Sequence, residues 1–592
     1  MCQWIVLDIV SLSSNHPRDP VAVNPQRKFG FDRLFYAVAL FFIAEILLAI
    51  STRMDRSWQW LALLLLIFIG LICSLLVVRA RNTLSIGAST VIVIALLTRL
   101  PAMFALPLLD DDYFRFLWDG HQFAHGLSPY ASAPSQHFLR IDLSSAWAAV
   151  LSEINHPDVP TIYGPSLQAL FALAVALGNA DPWALKLIFL AVDLALVIVL
   201  LRAGCARWLV LLYVLNPLAV KEIGFSLHPD GVIALLMTLA LLALARARPF
   251  PAGIFAAAVV CAKLPLLLLV ATLNLKSAAH RKTIFFCALV AVVAYLPFLF
   301  PDPMQPFFGL LAFADQWRFN ALGYLVFEWV AGAHSRMLLI GFYVVCTAVV
   351  AALVATKKVP TATASVQLLA MILFTAPTVN PWYWLPLLPL AVIAQRQDGA
   401  LLLTPWLGSF ALLLGYANGS TLADFGITSV RPEFSVFPVA TAAELLLMVA
   451  GFAYDLRRSA LEAALHLAVR MPLWLSNALI RRRFPNVAHI SAQRVLDIAT
   501  THPRMLWIDI TSAYCPFDLA GRAQAVTSLV EAHALATTFQ QQHQLGHVVI
   551  SCAVGYRSSE MAAQLTRAGI QNVGNIEGGR RALARANTFA RS

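Results

Sequence analysis

Three adjacent carboxylates open the run Asp110-Asp111-Asp112-Tyr113-Phe114-Arg115-Phe116-Leu117-Trp118-Asp119-Gly120, directly after an apolar segment. Carboxylates held side by side offer two kinds of chemistry. One of them, its pKa raised by its neighbours, can take a proton as a general base, or together they can bind a divalent cation such as Mg2+ or Mn2+. A merely solvated acidic loop is the competing reading. A second set of ionisable groups lies in or beside later apolar segments: Glu222 after Asn216-Pro217-Leu218, then His228-Pro229-Asp230, then Lys263. Such groups are expensive in hydrocarbon, and their presence there marks a substrate or ion site. Two further stretches combine polar and aromatic residues: Thr161-Ile162-Tyr163-Gly164-Pro165, and Pro377-Thr378-Val379-Asn380-Pro381-Trp382-Tyr383-Trp384, the latter following Asp315-Gln316-Trp317-Arg318-Phe319-Asn320. Trp382 taken singly reads as a membrane-interface anchor.

The elements that must position these residues are membrane helices. Of 592 residues, 60% are apolar and 12% charged, the composition of a polytopic membrane protein with a smaller soluble part. Apolar runs are expected to span at about 34–50, 58–78, 84–106, 182–202, 206–225, 230–246, 283–300, 336–356, 362–378, 382–396, 400–416 and 436–454. Residues 165–178 look short for a crossing. Residues 251–275 are interrupted by Lys263 and Pro265, as in a broken helix or tight hairpin. The total is about 12–14 transmembrane helices. Residues 1–33 form a cytoplasmic segment without a cleavable signal peptide. The transmembrane domain covers 34–456, with a large outer loop at 109–164. The net charge of +11 resides mainly in short loops, where it sets topology by the positive-inside rule; it is not read as nucleic-acid binding. With the basic loops inside, the acidic run, His228/Asp230, Asp315/Arg318 and Asn380 share the opposite face. Residues 457–488, which include Arg457, Arg458, Arg470 and Arg481-Arg482-Arg483, read as a basic amphipathic linker on membrane lipids or as a plain connector.

In order, DDDYFRFLWDG…GLSPY, INHPDVPTIYGP, NPLAVKE…HPD and PTVNPWYW resemble the integral-membrane GT-C glycosyltransferases. The nearest likeness is to bacterial polyprenol-phosphate-mannose-dependent mannosyltransferases, over about Arg99 to Pro389. The resemblance implies a polyprenyl-phosphate sugar donor, a glycan or lipid acceptor at the outer face of a bacterial inner membrane, and a single inverting displacement. It implies a general base in the first outer loop, carried here to Asp111 with Asp110 and Asp112 as rivals. Lys263, Arg115, Arg318 and His228 are candidates to face the donor phosphate. Asp230, Glu222, Asn380 and Tyr163 are candidates to bind sugar or acceptor. The sequence departs from the family at Asn380, where His is common, and at Gly164, where Pro is common.

From 489 to 592 the pattern turns globular. Leu506–Ile510 and His547–Cys552 read as strands, and Ser558–Ala568 has helical spacing, giving a small α/β domain. Cys552-Ala553-Val554-Gly555-Tyr556-Arg557-Ser558 ends one strand and opens a helix, a setting whose backbone amides and positive field favour a thiolate. The loop, with Leu565, Ala568-Gly569-Ile570, Asn572-Val573 and Ile576-Glu577-Gly578-Gly579, resembles a rhodanese domain. That resemblance implies that Cys552 carries a persulfide, that Gly555, Tyr556, Arg557 and Ser558 form its loop, and that a sulfane-sulfur donor and a low-molecular-weight thiol are partners. Asp509-Ile510-Thr511 departs from the usual Asp-x-Arg of rhodaneses. The fold class expected is a polytopic α-helical GT-C-like membrane domain joined to a cytoplasmic α/β rhodanese-like domain. Rival accounts are an ion-coupled secondary transporter with a regulatory soluble domain, suggested by the broken 251–275 segment, and an inert membrane scaffold for a sulfurtransferase.

Overall fold

The computed structural model describes residues 25–81, 86–356, 359–399, 401–417, 443–455, 477–478, 480–482, 484–501, 505–510, 523–525, 529–543, 546–552, 556–577 and 582. Most of the expected basic linker and Gly555 of the cysteine loop lie outside these residues. Contacts divide the chain into two units, Met1–Phe452 and Ala453–Ser592.

The first unit is helical and fits a polytopic membrane protein. Leu34–Ser51, Arg56–Ala80, Trp183–Arg202, Ala278–Phe298 and Gly323–Ala355 are long and apolar enough to cross a bilayer. Arg207–Val214 and Pro217–Phe225 pass the same test only as a pair, bent by 48° at the break between them, the geometry of a broken span or a re-entrant loop. The bend falls at Asn216-Pro217, where proline lacks the N–H a helix needs and the Asn216 side chain accepts the Leu218 amide. Ala88–Phe104, Pro165–Gly178, Asp230–Ala245, Pro249–Val260 and Thr361–Thr375 are apolar but shorter. Fewer full-length spans therefore stand among the described residues than the apolar runs suggested. The run 84–106 breaks at Arg99 into Ala88–Leu97 and Leu100–Phe104. There the guanidinium turns inward to Asp193 at 2.7 Å and also donates to the Val214 carbonyl. Pro165–Gly178 has 14 residues, about 21 Å of helix at 1.5 Å per residue, against roughly 30 Å of hydrocarbon. The 251–275 segment is broken as expected. Pro249–Val260 is α-helical, Cys261–Lys263 turn, and Leu264–Thr272 continues as a 3-10 helix with Pro265 in its first turn.

Close helix approach sets the position of the acidic run. The helix Asp112–Ala124 lies against Pro165–Gly178 because Gly120 carries no side chain: a Cβ there would meet the Phe171 backbone. Phe116 stacks on Phe171 with centroids 4.7 Å apart. Gly164 does the same for the next turn, where a Cβ would run into the Cys261 carbonyl and the Gly164 amide donates to Ala262 at 3.2 Å. The departure at Gly164 is thus matched to its neighbour.

The second unit holds a parallel sheet. Its strands are β1 (Ala488–Ile490), β2 (Met505–Asp509), β3 (Ala523–Ala525), β4 (His547–Ser551) and β5 (Val573–Ile576), in the order β1-β5-β4-β2-β3. Alternation places Leu506, Ile508, Val548 and Ile550 on one face, packed with Ala532, Ala536, Ala562 and Leu565 from the helices Leu529–Gln542 and Tyr556–Arg567. Trp507 and Val549 face the other way, toward Ala492 and Val495 of the helix Ala492–Thr501.

Candidate active site

Two loops meet to form the floor of the site. The Leu108 amide donates to the Phe225 carbonyl at 3.0 Å, and the Ser226 hydroxyl donates to the Leu108 carbonyl at 2.8 Å. On either side of this clasp Leu109 and Leu227 have φ of 57° and 62°, the left-handed region that non-glycine residues avoid. His156 and Asn320, in the other two site loops, do so as well, at 49° each. Backbone strain of this kind, about 1–3 kcal/mol per residue, persists where surrounding contacts over-determine it, typically at functional sites.

The clasp sets the carboxylates over His228. Asp110 caps the helix that begins at Asp112, its Oδ1 accepting the Asp112 amide at 3.0 Å. Its other oxygen faces His228 Nε2 at 3.6 Å, and Asp112 Oδ2 stands 4.0 Å from the same nitrogen. Tyr163 donates its hydroxyl to Asp112 Oδ2 at 3.3 Å, and Asn155 its amide to Asp112 Oδ1 at 3.3 Å. The three aspartates differ electrostatically. Burial would raise the Asp110 pKa, but the charge of His228 beside it holds it below the ordinary carboxylate value. Burial, then the Asp110 charge, pushes Asp112 up to about 6. Asp111 is also raised, by burial and Asp110, but it is the exposed one of the three, and its carboxylate accepts from Asn155.

A cavity of about 270 Å³ opens over this floor. It is lined by Asp110, Asp112, Arg115, Tyr163, Arg318 and Asn380, together with Asn155, His156 and the aromatic rings of Trp317, Phe319, Trp382 and Tyr383. The Arg318 and Asn380 loops are joined by main-chain bonds, Phe319 N to Pro377 O at 3.2 Å and Val379 N to Phe319 O at 2.9 Å. Six residues singled out in the sequence thus share one cavity although they come from four separate stretches. Others fall behind it. Asp111, the first choice as base, is exposed and is not among its lining residues. Glu222, expected to touch sugar, is fully buried and accepts from His228 Nδ1 at 2.8 Å. Asp230 is likewise buried, both of its oxygens held by Lys263 Nζ at 2.7 and 2.9 Å. Lys263, expected at the donor phosphate, is spent on that pair and on the Tyr383 ring 4.0 Å away. Arg115 reaches the cavity while bound to Asp119 at 3.0 Å and the Val159 carbonyl at 2.6 Å. Arg318 donates to the Trp317 carbonyl at 2.6 Å and pairs with no carboxylate among the described residues.

Four contributors carried no assigned role in the sequence. Lys221 is fully buried, 3.3 Å from Glu222 and 3.3 Å above the Tyr416 ring. Tyr416 donates to Glu222 Oε2 at 3.0 Å. Trp382, read as an interface anchor, stacks on the His228 imidazole at 3.6 Å and 11°. Asn155 bridges Asp111 and Asp112. The signal for Lys221 was present: an ammonium inside NPLAVKE has no cheap place in an apolar segment.

On the second unit, Cys552 directly follows β4 and is buried, with the Ser558 hydroxyl donating toward its Sγ at 3.3 Å. The side chains of Tyr556 and Arg557 lie outside the described residues.

The fold and the cavity define a multi-pass helical membrane protein with a cluster of carboxylates and cations beside its apolar helices. Residues 42–296 match the family model described as alpha-(1->6)-mannopyranosyltransferase, N-terminal domain. This match supports a mannosyltransferase of the GT-C type, acting by sugar transfer, over the transporter account. It includes the acidic run, Tyr163, Glu222, His228, Asp230 and Lys263; Arg318, Asn380 and the second unit lie beyond it. No curated protein and no solved structure gives a match.

Proposed function

We propose that the membrane unit transfers a mannosyl group from a polyprenyl-phosphate donor to a glycan or lipid acceptor, at the outer face of a bacterial plasma membrane, with Asp112 as the general base. The observation that carries this is the single cavity onto which Asp110, Asp112, Arg115, Arg318, Asn380 and Tyr163 converge. At roughly 30 Å³ per water, its 270 Å³ is the scale of a sugar ring, and a lipid chain must lie elsewhere. An apolar groove of about 650 Å³, lined by residues including Phe123, Pro165, Ala257, Val290 and Phe298, lies just beyond the turn whose Tyr163 lines the cavity. That pairing of a polar pocket with an apolar groove suits a sugar on a lipid carrier.

In this reading Asp112 accepts the acceptor's hydroxyl proton as the oxygen attacks the anomeric carbon. The bond to the donor phosphate breaks with inversion, and Arg318 and Arg115 stabilise the departing phosphate. Asp112 suits the base better than Asp111 because it lines the cavity and Asp111 does not. The test is transfer from labelled polyprenyl-phosphate mannose in membranes carrying each Asp→Asn variant. Asp112→Asn should lose about 10²- to 10⁴-fold in rate, the usual contribution of a general base, whereas Asp111→Asn should stay within a few-fold. Full transfer by Asp112→Asn would remove the assignment.

For the second unit we infer a rhodanese-like sulfurtransferase domain on the cytoplasmic side. The support is a cysteine at the carboxyl end of a central parallel strand, followed by a helix N-terminus, where loops beyond strand ends form binding crevices. Cys552→Ser in the full-length protein should abolish cyanide-dependent sulfur transfer; unchanged turnover would refute the nucleophile.

A further inference from the structure

We propose that Asp110, Asp112 and His228 form a binding site for one divalent cation of the Mn2+ or Zn2+ class, with Glu222 orienting the imidazole. One carboxylate oxygen each from Asp110 and Asp112 and a His228 ring nitrogen lie within 4.8 Å of one another. His228 is fully buried, and its Nε2 has no hydrogen-bond partner although it faces both carboxylates. The other ring nitrogen is engaged by Glu222 at 2.8 Å. With Nδ1 held by a carboxylate, an arriving ion would displace the Nε2 proton to solvent and take that nitrogen's lone pair, the arrangement found behind metal-bound histidines. Stacking on Trp382 fixes the plane of the ring.

Charge balance points the same way. Lys263 is held by Asp230, Lys221 lies on Glu222 and the Tyr416 ring, and Arg115 is bound to Asp119. Asp110 and Asp112 are left with one imidazole between them, so a divalent ion would neutralise the pair. The distances are compatible. At about 2.1 Å per bond a tetrahedral ion holds its donors about 3.4 Å apart, so the gaps of 3.6 and 4.0 Å close by small side-chain rotations. An imidazole with two carboxylates selects Mn2+ or Zn2+ over Mg2+ and Ca2+, which prefer oxygen alone. Because Asp110 and Asp112 line the cavity, the open coordination positions face it, and a hydroxyl or phosphate oxygen of substrate would be the next ligand. Asp112 Oδ1, on the Asn155 side, remains for the proton. The role in transfer rests on the function proposed above; the binding does not.

The test is direct. Purified full-length protein is stripped with chelator and titrated with Mn2+, followed by loss of the free-ion EPR signal, and with Zn2+, followed by calorimetry. One equivalent should bind per chain. His228→Gln and Asp110→Asn should abolish it, Glu222→Gln should weaken it 10- to 100-fold as outer-shell partners do, and Asp111→Asn should leave it unchanged. Thermal melts of each variant separate lost binding from lost folding. Failure of either ion to bind at millimolar concentration, or binding unaltered in well-folded His228→Gln, overturns the site. Full transfer by chelator-stripped protein overturns the ion's role in transfer while leaving the transferase reading intact. Stoichiometric binding without any mannosyl transfer does the reverse.

Discussion

Replacing Arg318 with alanine should separate binding of the leaving phosphate from stability of the fold. The guanidinium lines the cavity, and its partners are all uncharged: the Trp317 carbonyl at 2.6 Å, the Asp315 carbonyl at 3.4 Å and the Tyr324 ring 5.2 Å away. Asp315 is itself taken by Arg336. Losing one hydrogen bond from a charged donor and one cation–π contact costs about 2 kcal/mol of stability, an upper figure for a half-buried side chain. A charge-assisted bond to a phosphate oxygen contributes about 1.5–3 kcal/mol. If that bond strengthens as the phosphate departs, kcat/KM falls by about 10- to 150-fold at 1.36 kcal/mol per decade. The assay is transfer from labelled polyprenyl-phosphate mannose by purified Arg318→Ala, beside a thermal melt. Arg318→Lys keeps the charge without the planar fork and should recover part of the loss. Arg318→Ala that folds normally and keeps kcat/KM within twofold of the parent would refute the assignment of the phosphate to this end of the cavity.

Lys263→Met should act through the fold. It leaves Asp230, 2% exposed, without its partner, at a cost of roughly 3 kcal/mol, the low end for a broken buried pair because Lys263 keeps a fifth of its exposure. A lowered melting temperature that Lys263→Met/Asp230→Leu restores would identify this cause. Gly120→Val should force its Cβ into the Phe171 backbone, lower stability by about 1–3 kcal/mol and reduce transfer with it, since the same helix starts at Asp112; unaltered melting and transfer would show that the helix contact is looser than described.

Residue chemistry and the GT-C resemblance together brought six of the cavity's polar residues to light; the acidic run stands out by itself, whereas Tyr163 reads as part of a turn until the resemblance is added. They did not distinguish Asp111 from Asp112. Adjacent positions at a helix start point about 100° apart, and only the placement of that start, set by the Asp110 cap and the Leu108 clasp, decides which carboxylate turns inward. Glu222 and Asp230 read in the sequence as groups that bind sugar or acceptor, because the partners that bury them are remote: Tyr416 lies 194 residues beyond Glu222, and Lys263 lies 33 beyond Asp230. The break in 251–275 was legible from Lys263 and Pro265. The break at Arg99 was not, since its cause, Asp193, is 94 residues away. In the second unit the strands at 505–509 and 547–551 and the helix at 556–567 follow the alternation and periodicity of the sequence closely.

The clasp joining Leu108 to Phe225 and Ser226 has a bearing on biogenesis. During synthesis the acidic run emerges more than a hundred residues before the segment that fastens it, and the bent span from Arg207 to Phe225 must be seated before the latch can close. Until then Leu109 has no reason to hold its costly conformation, and the aspartates remain an ordinary hydrated tether. The nascent enzyme is therefore silent through the first half of its assembly, and misplacement of that one kinked helix would disarm it without altering a single reacting group.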